Sequence, residues 1–183
     1  MASTSYSTKG TYAVINTTQG RMVVQLFPKA APDTVANFIK LAESGFYNNL
    51  VWHRIVAGFV IQTGDPTSRN GGGDPMAWGQ TGSGLTVRLE ANPTTVAEGY
   101  VNDVGYVGMA RGASRDSGSS QFYINLANNA PLNENYTVFG KVISGLDVAM
   151  AIGKLPVVSS RWASPPVKPA DAEVLSISIQ DSP

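Results

Sequence analysis

Short apolar runs, each cut off by glycine, proline or asparagine, recur along this chain and leave room for only two helical stretches. TYAVINTTQGRMVVQLF reads as a hairpin: Met22, Val24 and Leu26 alternate with Arg21, Val23 and Gln25, and Thr17 to Gly20 make the turn. The segments VWHRIVAGFVIQ, GYVGMAR, SQFYINL, YTVFGKVI and EVLSISIQ extend the series. APDTVANFIKLAESG carries helical spacing, with Pro32 and Asp33 in its first turn, a stripe of Val35, Phe38, Ile39 and Ala42, and Gly45 as its stop. SGLDVAMAIGK is the second helix, with Ser144 expected as N-cap and Asp147 completing a capping box. So many strands expose too many edges unless the sheet closes, and the pattern points to a β-barrel with helical caps.

The chain has 183 residues, 43% of them hydrophobic and 14% charged, which predicts one globular domain over residues 10–183 behind a flexible tail at 1–9. Thirteen basic residues balance 13 acidic ones without a basic run, which argues against nucleic acid or an anionic membrane as partner. No cysteine is present, so disulfides, thiolate catalysis and zinc–thiolate sites are excluded; the single histidine excludes a multi-histidine metal site. Neither a signal-peptide core nor an apolar run of membrane-spanning length occurs, and a cytoplasmic monomer is expected. Gly64 to Gly84 is rich in glycine without a following GK[ST], so it reads as a long loop and not as a phosphate cradle.

The segment VWHRIVAGFVIQTGDP gathers Trp52, His53, Arg54, Phe59 and Gln62 where barrel wall alone would need none of the polar ones. Nucleophilic chemistry fits poorly. GSS at Gly118 to Ser120 lacks the strained elbow that exposes a hydrolase serine, and His53 is the only available imidazole. His53 is expected on a strand, touching the loop surface. Rotation about an X–Pro amide suits the inventory better, because it needs no nucleophile, acid–base pair or metal. Its barrier of about 18–20 kcal/mol comes from amide resonance, and a cationic donor aimed at the prolyl nitrogen lowers it.

Three long motifs in register resemble the cyclophilins, the cyclosporin-binding peptidyl-prolyl isomerases. The family pattern FHRI-x-x-GF-x-x-Q-GGD stands here as WHRIVAGFVIQTGDP; the others stand as GMARGASRDSGSSQFYINL and TVFGKVISGLDVAM. The resemblance runs over about residues 10–181. It implies a mainly β fold, a closed antiparallel eight-stranded barrel capped by two α-helices, and isomerisation of X–Pro bonds in peptides and unfolded proteins without a cofactor or metal. Arg54 matches the catalytic arginine, for which a permanent charge and a rigid donor fork are suited. Phe59, Val60, Tyr123, Leu132 and Tyr136 match the proline pocket. Gln62 and Gln121 match glutamines that bond the substrate or fix Arg54, and Ala110 and Arg111 match the edge whose backbone pairs with the peptide.

Four positions depart from the common pattern. Pro131 replaces a tryptophan associated with tight cyclosporin binding, so cyclosporin A is expected to bind with weakened affinity. Tyr136 stands for a histidine, Val60 for a methionine and Tyr123 for a phenylalanine. A proline-peptide binder or chaperone with little turnover is the alternative; retention of Arg54 favours the enzyme. A scaffold subunit would need a docking segment, and only LPVVSSRWASPPVKPA, from Leu155, offers one. A loop packed on the barrel is the expectation there.

Overall fold

The computed structural model describes residues 11–159 and 163–183. The tail expected at 1–9, and Trp162 of the docking-segment reading, lie outside the described residues. The strands are β1 (Tyr12–Thr17), β2 (Gly20–Leu26), β3 (Leu50–Val51), β4 (Arg54–Val56), β5 (Val60–Thr63), β6 (Tyr106–Met109), β7 (Phe122–Asn125), β8 (Val138–Ser144) and β9 (Glu173–Gln180). All pair antiparallel in one curled sheet of order β3-β9-β1-β2-β8-β6-β7-β5-β4.

The count is nine strands where eight were expected. The extra one arises because the chain bends at Trp52 and His53, so a single sequence run supplies both ends of the sheet, β3 and β4. These end strands do not pair with each other; the chain itself links the two margins of this half-barrel. The backbone around the bend is still satisfied, since the Trp52 N–H donates to the Ala172 carbonyl at 2.8 Å and the Ile55 N–H to Ser164 at 3.1 Å.

Helix α1 (Pro32–Glu43) has Pro32 at its start and turns Thr34, Val35, Phe38 and Ala42 inward. It ends at Gly45, whose φ of 76° lets its N–H reach Ala42 and the Phe46 N–H reach Leu41, a Schellman closure. A short helix not expected from sequence, α2 (Pro93–Ala97), is nucleated by an Asn92–Thr95 capping box.

Helix α3 (Leu146–Gly153) corrects the expected cap. Ser144 is the last residue of β8, paired with Val23, and Gly145 is the N-cap with φ 84°. A Cβ at Gly145 would lie 2.3 Å from the Arg21 carbonyl, so the tight strand-to-helix turn decides the cap, and no serine side chain bonds there.

One core fills the curl. Phe122 lies edge-on to Phe38, Tyr47, Trp52 and Phe139, with ring centroids 5.4 to 6.3 Å apart. Phe122 is fully buried, and its truncation to alanine is expected to cost about 3–5 kcal/mol. The segment after Leu155 folds back on itself, Val157 bridging Pro166, and buries Ala163 beside β4. Among the described residues no helix is long and apolar enough to cross a membrane.

Candidate active site

Strand parity builds the site. Ile55, Ile61, Ile124 and Val107 are cross-strand neighbours on β4, β5, β7 and β6, and all four lie in the core. The next row along the same strands is Arg54, Gln62, Tyr123 and Gly108, which therefore points to the opposite face. An alternating sheet thus fixes an arginine, a glutamine and a tyrosine side by side on its outer surface.

A groove of about 510 Å3 opens over this row, lined by Arg54, Phe59, Val60, Gln62, Ala110, Arg111, Tyr123, Leu132 and Tyr136. Every residue singled out from the sequence for the site is here except Gln121, which lines an adjoining hollow of about 400 Å3 with Thr81 and Gly82. Gln62, Ala110 and Arg111 border both. Val60 and Tyr123 are nearly fully buried and form the floor; Phe59, Leu132 and Tyr136 are half-buried walls. Tyr123 and Tyr136 meet edge to face at 6.1 Å.

The Arg54 guanidinium lies 5.8 Å from the Phe59 ring centroid. Among the described residues no hydrogen bond or ion pair engages it, and burial pushes its pKa below the usual arginine value. Charged, half-buried and unpartnered, it holds its donor fork ready for a ligand. Gln62 does not fix it. The Gln62 side-chain amide donates to Gln121 Oε1 at 2.9 Å, and the Gln121 amide donates to the Thr81 carbonyl at 2.8 Å. The glutamines thus brace each other and the loop; of the two expected roles, bonding the substrate or fixing Arg54, the second is not seen.

At the groove's edge the Ala110 N–H donates to Gln121. Among the described residues the Ala110 carbonyl and the Arg111 N–H have no partner, which leaves one acceptor and one donor for an extended peptide.

Two supports were not legible beforehand. Tyr123, whose burial holds its phenol protonated, donates its hydroxyl to Asn102 Oδ1 at 2.7 Å. Asn125 donates to the same oxygen, and Asn129 donates to Asn125 and to the Phe59 carbonyl, so one buried amide network ties the floor to the walls. Asp65, fully buried, accepts from Thr67, Gly79 and Thr81 and pins the loop that anchors Gln121. An asparagine-rich LANNAPLNEN was the available signal for the first.

His53 is 1% exposed and lies in the bend between β3 and β4 and not on a strand, though it does meet the Gly64–Gly84 loop, packed under Gly79. Burial pushes its pKa down to about 4. It is neutral at pH 7 and lines neither the groove nor the hollow, lying behind Gly79 of the hollow's wall. Among the described residues no group of three or more acidic, histidine or cysteine side chains could hold a metal.

The description that fits the chain from 12 to 174 is "Cyclophilin type peptidyl-prolyl cis-trans isomerase/CLD". The chain belongs to the cyclophilin-type peptidyl-prolyl cis-trans isomerases. Peptidyl-prolyl cis-trans isomerase B of Bacillus subtilis is 43% identical over 125 residues, 68% of this chain and 78% of that protein. Peptidyl-prolyl cis-trans isomerase CYP57 of Arabidopsis thaliana is 34% identical over 96% of this chain, which spans only 32% of that longer relative. A crystal structure of a cyclophilin-type isomerase from Cryptosporidium parvum, obtained in the presence of the dipeptide Ala-Pro, superposes with a TM-score of 0.75 at 28% identity, covering 93% of this chain and 99% of that one. The curled sheet and its groove are therefore a cyclophilin fold.

Proposed function

We propose that this cyclophilin isomerises X–Pro bonds in the groove over β5 and β7, with Arg54 as its catalytic residue. The half-buried Arg54 guanidinium beside the Val60–Tyr123 floor, without a hydrogen-bond or ion-pair partner among the described residues, is the observation that carries this reading. The proline ring would sit on Val60 and Tyr123 between Phe59, Leu132 and Tyr136. Donation from Arg54 toward the prolyl nitrogen draws its lone pair out of resonance, so the donor binds the twisted amide better than either planar form. Meanwhile Gln62 and the Ala110–Arg111 edge hold the peptide on one side of the bond while the other turns. Uncatalysed isomerisation takes roughly 10–100 s, and bringing it to milliseconds needs a barrier lower by about 5–7 kcal/mol. One charged hydrogen bond in a partly desolvated groove, together with selective binding of the twisted form, is of that order.

The same reading takes in proline-containing and unfolded chains as substrates and a chaperone-like part in their folding, acting as a cytoplasmic monomer. It also includes weak binding of cyclosporin A. The neighbour studied with Ala-Pro supports the choice of ligand class.

Exchange spectroscopy or a protease-coupled assay on an Ala-Pro peptide tests the central step. Arg54→Ala is expected to lose about 100- to 1,000-fold in kcat/KM with its melting temperature kept. Equal rates would remove Arg54 from the mechanism, and peptide binding without turnover in the parent protein would make the chain a binder.

A further inference from the structure

The chain is electrically neutral overall, yet its groove is not. Among the described residues, Arg54 and Arg111 are the only charged ones lining the main groove and the adjoining hollow, and no carboxylate lines either. Arg111 borders both, at the junction between the proline pocket and the hollow. Its guanidinium stacks over the Tyr136 ring, 4.9 Å from the centroid, while its Nε donates to the Asn135 carbonyl at 2.8 Å and its Nη1 to Gly112 at 3.0 Å. These contacts fix the side chain in place and leave Nη2 without a partner among the described residues. Among the described residues no carboxylate forms an ion pair with it. Asp33 pairs with Arg88, Asp116 accepts from the Leu89 N–H, and Glu90 accepts from Thr34. Glu134, close in sequence, is exposed and does not line the groove. Behind the rim, Arg88 and Arg115 share a further shallow depression with Arg111.

We propose that Arg111 makes this groove selective for proline peptides that carry an acidic side chain within two residues of the proline. The proposal rests on the groove being the peptide site. A fixed, half-buried guanidinium loses little rotamer freedom when a carboxylate docks, so the charge-assisted hydrogen bond is not cancelled by ordering the arginine. With no carboxylate among the described residues that line either cavity, the field of both arginines also draws an acidic peptide toward the groove.

The test places one glutamate, and in parallel its neutral isostere glutamine, at each of the two positions on either side of proline in an otherwise alanine peptide. At one position at least, glutamate is expected to lower KM by about three- to tenfold against glutamine, with the ratio shrinking at 0.5 M salt. That ratio should fall to about one in Arg111→Gln and be largely restored in Arg111→Lys. The proposal is overturned if glutamate gives no advantage at any position, or if its advantage survives Arg111→Gln. Titration of the same peptides by NMR reads the preference through Kd alone. An acid preference in binding with no turnover would therefore uphold this proposal while rejecting isomerase activity.

Discussion

Gly108 and Tyr123 stand opposite each other on β6 and β7, and a Cβ on Gly108 would lie 2.3 Å from both Cζ and the hydroxyl oxygen of the tyrosine. The missing side chain is what lets the phenol ring lie across β6 and reach Asn102. Gly108→Ala therefore has to displace the pocket floor. Overpacking of this kind costs about 1–3 kcal/mol, read by urea melts. The displaced ring should raise KM for proline peptides more than it lowers kcat, because binding of the ring suffers before the chemistry at Arg54 does. A variant with parental stability and KM would contradict the role given to this pair.

Asp65 carries the loop side of the site. Its Oδ2 accepts from the Gly79 N–H at 2.6 Å, and its Oδ1 from the Thr67 N–H at 2.8 Å. Asp65→Ala removes a buried carboxylate that accepts from three backbone N–H groups and is expected to cost about 2–4 kcal/mol. Amide exchange from Gly79 to Gly84 should speed up in the variant, and KM should rise because the Thr81 carbonyl no longer holds Gln121 in place.

Pro131 sits exposed in the short turn Ala130–Leu132, next to a wall of the groove. A tryptophan there would add an aromatic face to that rim. Pro131→Trp is expected to tighten cyclosporin A binding by about tenfold, measured by fluorescence or calorimetric titration. No gain in affinity would mean that Pro131 does not limit cyclosporin binding.

Much of this was readable in the sequence where short-range rules decide. The β1–β2 hairpin follows from alternation, and α1 from its proline start and glycine stop, because each depends on residues within a few positions. Long-range geometry was not readable. Ser144 looked like a cap because its local pattern is correct, but the Arg21 carbonyl, far away in sequence, leaves space only for Gly145. The bend at Trp52 and His53 likewise depends on Ala172 and Ser164 taking up its backbone N–H groups. Nor does spacing reveal that Gln62 bonds Gln121 and not Arg54. Alternation could show Val60 and Gln62 sharing a face; only the register between β4, β5 and β7 shows which neighbours stand beside them.

His53 makes a pH prediction that the chain's composition isolates, since it is the only histidine. Burial lowers its pKa from the ordinary 6.5 to about 4, so the native state resists its protonation. Between those values the unfolded chain binds a proton that the native one does not. Stability is therefore full above about pH 6.5, falls as pH drops toward 4, and loses no more from this group below that. The gap corresponds to about 3 kcal/mol, with His53 nearly fully buried. Urea melts between pH 5 and 7, above the range where carboxylates dominate, should show stability rising with pH in the parent protein. His53→Gln, which cannot take up a proton, should flatten that slope even where it lowers stability at pH 7. A slope that persists in the variant would show that the histidine is not its source.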